Sequence, residues 1–265
     1  MNKVRSRREK GIVLVLTLVL LASISFMASY LYFKNHRIYR ASRLLEFQHL
    51  SDRFLPEVTQ KVLALCNFYQ KKYGSVPREI SFVYEGGNIL KRGRVFAKLS
   101  PEAEKCNLNQ QDEESLLACL QRAGIAEKKI LILRDSILDW VDQDEDPRPF
   151  GAEKEFYETY APQNAPLKDL LEVLLVRGWD PYHFWGPEGL FDKVTVYGKP
   201  KKEKITEEAE KTSHNLSLKE GAYYRLLWKW SSLNGQEGFQ YLVIFRWGKS
   251  PQIVLSVRVP YAGNS

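Results

Sequence analysis

Acidic residues are concentrated in the segment 139–153, DWVDQDEDPRPFGAE. Calcium takes six to eight hard oxygen ligands, and alternating carboxylates in a loop can supply them. The carboxylate spacing of an EF-hand loop is present at the first, third, fifth and twelfth positions, which are Asp142, Asp144, Asp146 and Glu153. The sixth position is Pro147, where an EF-hand needs a glycine for its turn. The segment therefore predicts a loop that binds Ca²⁺ with some of its acids, but not a true EF-hand.

Two other interpretations of the acidic segment stay open. It could be a solvated loop that Arg134, Arg148 and Lys154 neutralise. It could also hold the paired carboxylates of a glycoside hydrolase, although both would then lie on one short loop without an obvious cleft. The sequence contains none of the motifs GxSxG, HExxH, GxxxxGK[ST] and GxGxxG, and its four histidines are scattered. We expect that the protein is not an enzyme.

The three cysteines are Cys66, Cys106 and Cys119. Cys106 and Cys119 are thirteen residues apart and could form a disulfide in an oxidising compartment. Cys66 lies among apolar residues at helical spacing, which indicates a core position. No pair has the CxxC spacing of a metal site.

The N-terminal region has the pattern of a membrane anchor. Residues 12–33 contain no charge over 22 positions, and a helix of about 33 Å would cross a bilayer core of about 30 Å. The preceding residues 1–11, MNKVRSRREKG, are basic, which predicts a cytoplasmic N-terminus. A cleaved signal peptide and a plain signal anchor are the simpler alternatives. The chain has a net charge of +7, of which the leader carries +4, so the charge gives little support for nucleic-acid binding.

A basic leader that ends in glycine before an aliphatic helix resembles a type IV prepilin leader. The resemblance implies that a membrane peptidase cuts between Gly11 and Ile12, and that the new N-terminus is methylated. Most prepilins have glutamate at the fifth mature position, where it meets the N-terminus of a neighbouring subunit. Leu16 occupies that position here. Because an unpaired carboxylate in lipid is costly, its absence either argues against a pilin or indicates a tip subunit with no neighbour above it.

Periodicity predicts an α+β protein. A helix is expected over 57–72 after Pro56, with strands at Ile80–Tyr84 and Arg94–Leu99, followed by helical signals over 100–190 that include a helix from Pro166 through Val176. Residues 199–220 are predicted to form a charged loop. Three β runs with turns between them then predict an antiparallel meander of Tyr223–Trp230, Gln240–Trp247 and Gln252–Val259. The segment 170–189 resembles a helix-hairpin-helix, which we expect to pack the helical region rather than to bind nucleic acid.

Several motifs together resemble the K-type minor pseudopilins of type II secretion. They are ILDWVDQD (137–144), PRP (147–149), GAE (151–153), YAPQNAPL (160–167), LLVRG (174–178), FWGPEGL (184–190) and TVYG (195–198). The similarity covers roughly residues 99–198, in addition to the prepilin-like leader. The family also lacks the fifth-position glutamate.

The resemblance implies a pilin-like α+β fold, with a long N-terminal transmembrane helix, an antiparallel sheet and a large inserted α-helical domain. The implied segments are a leader (1–11), a transmembrane helix (12–33), two pilin-like parts (34–98 and 221–265), the inserted domain (99–198) and the charged loop (199–220). The family binds Ca²⁺ in the helical domain, which we transfer only to the matching acids Asp139, Asp142, Asp144, Asp146 and Glu153.

The implied function is structural. The subunit would cap a short periplasmic pseudopilus, anchored once in the bacterial inner membrane with its C-terminal domain in the periplasm. Expected partners are the I-type and J-type minor pseudopilins, the major pseudopilin, the prepilin peptidase and a secreted cargo protein. After Gly198 the family continues with a further helical segment, whereas this chain has only the charged loop. The alternative function is a signal-anchored periplasmic enzyme or sugar-binding protein that uses the acidic loop 139–153.

Overall fold

The computed structural model describes the backbone of residues 2–85, 92–110, 112–186, 189–199, 213–233 and 238–260. Within helix α1, the side chains of residues 2–17, 33 and 35–53 are outside this description. The chain divides into two compact units, Met1–Pro56 and Glu57–Ser265.

Helix α1 extends over Asn2–Tyr73 and belongs to both units. The prediction that a separate helix starts after Pro56 is wrong, because Pro56 lies inside α1. Proline removes one backbone hydrogen bond from a helix but does not always end it. In the part of the chain that the structure describes, no helix combines the length and the apolar character that a membrane crossing requires. The predicted span at 12–33 lies in α1 and includes side chains outside the description.

The chain forms nine strands in its described residues, which are β1 (Val76–Pro77), β2 (Glu79–Tyr84), β3 (Gly93–Pro101), β4 (Cys106–Asn107), β5 (Val194–Thr195), β6 (Asn215–Leu216), β7 (Tyr223–Ser232), β8 (Gly238–Arg246) and β9 (Gln252–Val259). Five of them form one antiparallel sheet in the order β2-β3-β7-β8-β9. Strands β1 and β6 form a small antiparallel pair, and β4 and β5 form a parallel pair.

One face of the sheet packs against the last part of α1. Side chains of a strand point alternately to the two faces, so Leu226, Trp228 and Trp230 share this face of β7. Register places Val243, Tyr241 and Phe239 beside them on β8. The indole Nε1 of Trp228 donates a hydrogen bond to Oγ1 of Thr59 at 3.2 Å. Val58, Val62 and Cys66 are buried on the same stretch of α1, and Cys66 is a free thiol.

The other face of the sheet supports a helical region inserted between β3 and β7. This region contains α2 (Glu113–Arg122), α3 (Glu127–Val141), α4 (Pro181–Trp185) and the 3-10 helices Glu102–Glu104, Lys154–Phe156, Leu170–Leu175 and Leu190–Asp192. Its apolar side chains form one core with Leu242 and Ile244 of β8 and with Leu255 and Val259 of β9. The predicted combination of helix and antiparallel sheet is therefore confirmed.

Two local predictions in the helical region need correction. The helix expected from Pro166 through Val176 is only a 3-10 helix at Leu170–Leu175, which Asp169 caps by accepting from the Leu171 N–H. The second helix of the hairpin is the five-residue α4, capped by Asp180. Both observed helices are shorter than the α-helices that the sequence pattern predicted. Of the charged loop 199–220, residues 200–212 lie outside the described residues.

Candidate functional site

The last turns of α3 carry three carboxylates on one side of the helix. Asp135, Asp139 and the C-cap residue Asp142 are four and three positions apart, and residues at these spacings are neighbours on a helix surface. Asp135 and Asp139 are fully buried, at 0% exposure. The sequence pattern indicated a surface loop for Asp139 and gave no sign of a role for Asp135. In the structure both aspartates belong to the helix and act as anchors for the chain that follows it.

Arg148 brings the loop back onto these carboxylates. Its Nη1 lies 2.7 Å from Oδ1 of Asp139 and 2.5 Å from Oδ2 of Asp142. Its backbone N–H also faces the Asp139 carboxylate, at 3.2 Å from Oδ2. Burial raises the pKa of Asp139, and the hydrogen bonds and charge of Arg148 counter only part of this effect. The predicted neutralisation by Arg148 is therefore present for these two acids.

A second arginine serves the buried Asp135. Nη2 of Arg134 lies 2.6 Å from Oδ1 of Asp135, and its Nη1 lies 2.9 Å from Glu113 of α2. The other oxygen of Asp135 accepts the backbone N–H of Phe150 at 3.2 Å. Asp135 thus binds the loop to α3 through a backbone contact, as Asp139 does one turn later.

Gly151 packs directly against Asp139. A Cβ atom at this position would lie 1.9 Å from Oδ2 of Asp139, which is far inside contact distance. The Gly151 carbonyl accepts a hydrogen bond from Nη1 of Arg177 at 2.7 Å. The absence of a side chain at residue 151 is what allows the loop to close over the buried carboxylate.

Glu153 follows this contact and is buried, at 6% exposure. Its pKa is raised from 4.5 to about 7, first by burial and then by the negative charges of Asp139, Asp142, Asp144 and Glu145. Its Oε1 and the Oδ1 of Asp142 are buried without a hydrogen-bond partner. The negative charges of four other acids in the segment therefore contribute to the raised pKa of Glu153. One of these four, Glu145, was not in the predicted ligand set.

The predicted metal ligands do not form a ready metal site. Within the described residues, no group of three or more histidine, cysteine, aspartate or glutamate side chains is arranged so that it could hold a metal ion. Asp144 and Asp146 are exposed, and Oδ1 of Asp144 accepts the backbone N–H of Asp146 at 3.1 Å. In this arrangement the cation that lies against Asp139 and Asp142 is Arg148.

Two of the three cysteines in the sequence are bonded to each other. Cys106 of β4 and Cys119 of α2 are joined as a disulfide, with their Cα atoms 5.3 Å apart. The bridge ties α2 to the small parallel sheet. Gly11 and Ile12, the predicted processing site, lie in α1 where side chains are not described.

A buried ion pair that no sequence pattern predicted joins the sheet to the helical region. Arg225 of β7 and Glu102 are both buried, with Nε–Oε1 and Nη2–Oε2 distances of 2.7 and 2.8 Å. Arg225 also donates to the carbonyls of Val194, at 2.9 Å, and Phe191. The available signal was an arginine among the aromatic and aliphatic residues of 223–228.

Comparisons with known proteins agree with this architecture. The family model for protein K of the type II secretion system matches residues 97–184, the stretch that holds α2, α3 and the acidic loop. A type II secretion system protein K from Klebsiella pneumoniae is 25% identical over 198 residues, which cover 66% of this chain and 60% of that protein. Over these residues the chain is similar to protein K of type II secretion. It spans about 60% of the length of this relative.

A solved structure shares the fold of this chain. A chain in the crystal structure of the GspK-GspI-GspJ complex from the enterotoxigenic Escherichia coli type 2 secretion system superposes with a TM-score of 0.53 at 12% identity. The superposition covers 84% of this chain and all of that chain. At this identity the likeness concerns the fold alone. The family resemblance that the motifs suggested is confirmed.

Proposed function

We propose that this protein is a minor pseudopilin that caps the tip of a periplasmic pseudopilus in type II protein secretion. The observation that carries the proposal is the protein K match at 97–184, which falls on the helical region inserted into the sheet. A helix packed on an antiparallel sheet supplies the body of such a subunit. The inserted helical region would lie at the end of the fibre, where no further subunit packs on it.

The proposed partners are the I-type and J-type minor pseudopilins. This assignment is supported by the solved complex in which the superposed chain occurs, which joins GspK, GspI and GspJ. The major pseudopilin and the prepilin peptidase are the further partners that the proposed assembly requires. The role is one of assembly, because the family is structural and no catalytic step is needed for a capping subunit.

Co-purification tests this function. The full chain is co-expressed with the I-type and J-type pseudopilins of its own bacterium, and a tag on the J-type subunit is used for capture. We expect the untagged chain to elute in a complex containing one copy of each protein, as measured by native mass spectrometry. The major pseudopilin in place of the J-type subunit is the control. An I-type and J-type complex that forms without retaining the chain would contradict the proposal.

We further propose that residues 12–33 anchor the subunit in the inner membrane, with the remainder in the periplasm. Ten large apolar side chains between residues 18 and 32 are more than 40% exposed within the first unit. Such exposure is costly in water and favourable in lipid. Alkaline extraction of membranes tests the anchor, since a peripheral protein is released by this treatment and an integral one is retained.

We also propose that the acidic loop binds Ca²⁺, with oxygens drawn from Asp139, Asp142, Asp144, Asp146 and Glu153. Support comes from the two unpaired buried oxygens, Oδ1 of Asp142 and Oε1 of Glu153, and from the four negative charges that raise the pKa of Glu153. Calcium would supply the positive charge that this cluster lacks beyond Arg148. To bind both Asp139 and Asp142, the ion must compete with the Arg148 guanidinium.

Thermal unfolding with and without Ca²⁺ tests the metal proposal. We expect millimolar Ca²⁺, but not equal Mg²⁺, to raise the Tm of the wild-type chain, because a ligand that binds only the folded state stabilises it. Glu153→Gln should remove the shift, and Glu155→Gln, which changes an exposed carboxylate of the same turn, should keep it. Equal Tm values with Ca²⁺ and with a chelator would reject the metal site and leave the capping proposal intact.

A further inference from the structure

Strand β9 is an open edge of the five-stranded sheet. It pairs with β8 on one side, and among the described residues no main-chain group of β9 bonds to any element other than β8. Its eight residues exceed the about five or six of a usual strand, and the outward row of N–H and C=O groups can bind a further strand. Proteins that keep such an edge single often place lysine or proline within it. Strand β9 contains neither, since Pro251 and Pro260 lie just outside it.

A β-bulge affects only the first part of this edge. The register shifts between Ile244 and Phe245 of β8, and Val254 is the extra residue of β9. A bulge bends and twists the strand locally, which protects an edge at that point. Beyond the bulge, residues 255–259 pair with β8 without a further shift. This part of β9 therefore keeps the regular ladder that an added strand needs.

Two neighbouring apolar side chains of β9 are exposed. Ile253 is 49% exposed and Val254 is 41% exposed. The removal of apolar surface from water is favourable, so a strand that covers these side chains gains stability beyond its main-chain hydrogen bonds. The composition of β9 thus favours a partner that has apolar side chains of its own.

The opposite edge of the sheet, β2, is less open. The N–H of Arg78, directly before β2, donates to the carbonyl of His214 at 3.0 Å. The chain that leads into β6 therefore already lies beside the start of this edge. Strand β2 also begins with the exposed Glu79, and a charged side chain on an edge opposes strand addition.

Arg258 gives the β9 edge a preference for one side-chain chemistry. It lies opposite Tyr241 in the sheet register, and Nη1 of its guanidinium is buried without a hydrogen-bond partner. A buried donor without a partner is costly, and a carboxylate is the acceptor that best matches a guanidinium. Residues opposite each other on neighbouring strands have Cβ atoms about 4.5–5.5 Å apart. A carboxylate on a strand added to β9 can therefore reach Arg258.

A second copy of β9 does not meet this requirement. The strand sequence QIVLSVRV contains no aspartate or glutamate, so two β9 strands in contact would leave both Arg258 side chains without a carboxylate. We propose that β9 instead receives an extended segment of another protein, which adds to the sheet as a sixth strand and brings a carboxylate to Arg258. Main-chain hydrogen bonds supply the affinity of such an addition, and side-chain contacts supply its specificity. This inference does not depend on the capping function or on the acidic loop.

Peptide binding to the purified full chain in detergent tests the proposal. The probe is a fluorescein-labelled peptide GSTVEVTVSG, whose valines and threonines favour an extended strand and whose glutamate is the carboxylate. One control peptide has lysine in place of the glutamate, and the other is N-methylated throughout TVEVTV, which removes its main-chain donors. By fluorescence anisotropy we expect saturable binding of the probe, about tenfold weaker binding of the lysine peptide and no binding of the N-methylated peptide.

Hydrogen–deuterium exchange locates the bound probe. Amide exchange should slow in β9 and stay unchanged in β2. Protection of β2 alone, equal binding of all three peptides, or no saturable binding of the probe up to about 5 mM would overturn the proposal. Native mass spectrometry of the free chain is the test for a second copy. A dimer whose β9 amides are protected would identify that copy as the occupant and would also overturn the proposal.

Matched variants separate the two edges of the sheet. Arg258→Gln should weaken binding of the probe by about tenfold and remove its advantage over the lysine peptide. Arg94→Gln changes an exposed arginine of β3 and should bind like the wild type. If Arg258→Gln lacks the wild-type circular dichroism, Val254→Asp replaces it and should also weaken binding, because its charge opposes strand addition and repels the glutamate. Val83→Asp makes the same change on β2, where the valine is 47% exposed, and is its control. Unchanged affinity in a folded β9 variant would reject the site.

Discussion

At the residue scale, Glu153 makes the stability of the protein depend on pH. Its pKa is raised to about 7 in the folded state, above its ordinary value of 4.5. The folded protein therefore holds this proton more tightly than the unfolded chain does, and stability falls as the pH rises from about 4.5 to 7. With a chelator present to remove Ca²⁺, Glu153→Gln should raise the free energy of unfolding by about 1–2 kcal/mol at pH 8, because it removes a buried negative charge. At pH 5, where the folded protein holds the Glu153 proton, the change should be small.

Thermal or urea unfolding at both pH values measures this effect. Glu155→Gln is the matched control, since Glu155 is exposed two residues along the same turn. Its change in stability should be small and independent of pH. If Glu153→Gln changed the free energy of unfolding by the same amount at pH 5 and at pH 8, the carboxylate would not lie in the described environment.

Gly151 gives a second prediction at this scale. Gly151→Ala places a methyl group where the Asp139 carboxylate lies, at 1.9 Å from Oδ2. We expect a loss of about 1–3 kcal/mol, the usual cost of overpacking a close contact. Gly248→Ala is the control, because its added Cβ would approach no closer than 3.8 Å to another residue. Similar unfolding free energies for the two variants would contradict the close packing of the loop on α3.

The acidic segment also shows what a residue pattern can and cannot predict. Its composition was informative, but it did not show that Asp139 is buried in α3 or that Asp135 belongs to the same cluster. Contacts between Arg148 and two acids six and nine positions earlier depend on how the loop folds back. Spacing in the sequence therefore predicts which groups are available, and the path of the backbone decides which of them meet.

At the element scale, the ion pair of Arg225 and Glu102 connects β7 to the helical region. Breaking one partner of a buried pair leaves a charge without compensation, at a cost of about 3–5 kcal/mol. Glu102→Gln should therefore destabilise the protein strongly. Glu104→Gln is the control from the same 3-10 helix, and it should cost less than about 1 kcal/mol, since Glu104 pairs with Arg78 near the surface.

A double-mutant cycle separates the pair from its surroundings. Replacing both Arg225 and Glu102 with methionine should cost less than the sum of the two single changes, because no unpaired charge remains. Unfolding by urea measures each variant. Additive losses would mean that the two side chains do not interact across the boundary between sheet and insertion.

The disulfide is the second connection between elements. A bridge that closes a loop of about 15 residues stabilises a protein by about 3 kcal/mol, and the Cys106–Cys119 bridge has a separation of 13. Replacing both cysteines with serine should lower the stability by a comparable amount. Thiol titration of the denatured, unreduced chain should find one thiol, that of Cys66, and reduction should raise the count to three.

Strands were easier to predict than their partners. The run expected at Gln252–Val259 matches β9, and the runs for β7 and β8 differ from the observed bounds by one or two residues. The pairing of β3 with β7 could not be predicted, because about 120 residues separate them and no local pattern specifies such a contact. The helical reading of Pro166–Val176 failed since apolar spacing alone does not separate an α-helix from a short 3-10 turn.

At the scale of the whole molecule, the chain combines a basic N-terminal region with a second unit that contains all the described sheet strands. The proposed capping function makes a clear demand on the first unit. If the protein is a pseudopilin, its leader must be removed before the subunit can enter a fibre. The basic leader and Gly11 are compatible with this cleavage. The second unit carries no information about it, so the cleavage has to be tested directly.

The final prediction concerns this processing. Co-expression with a prepilin peptidase should give a chain that begins at Ile12, carries a methyl group on its N-terminus and has lost the basic leader 1–11. Intact-mass spectrometry measures the product. Gly11→Val should block cleavage, because the peptidase of this class cuts after glycine, and omission of the peptidase gives the uncut reference. Cleavage near Ser25 or Ser29 would instead identify a secretory signal peptide. The anchor would then be lost, and the similarity to protein K would have to be reconciled with a subunit that is not assembled through its N-terminal helix.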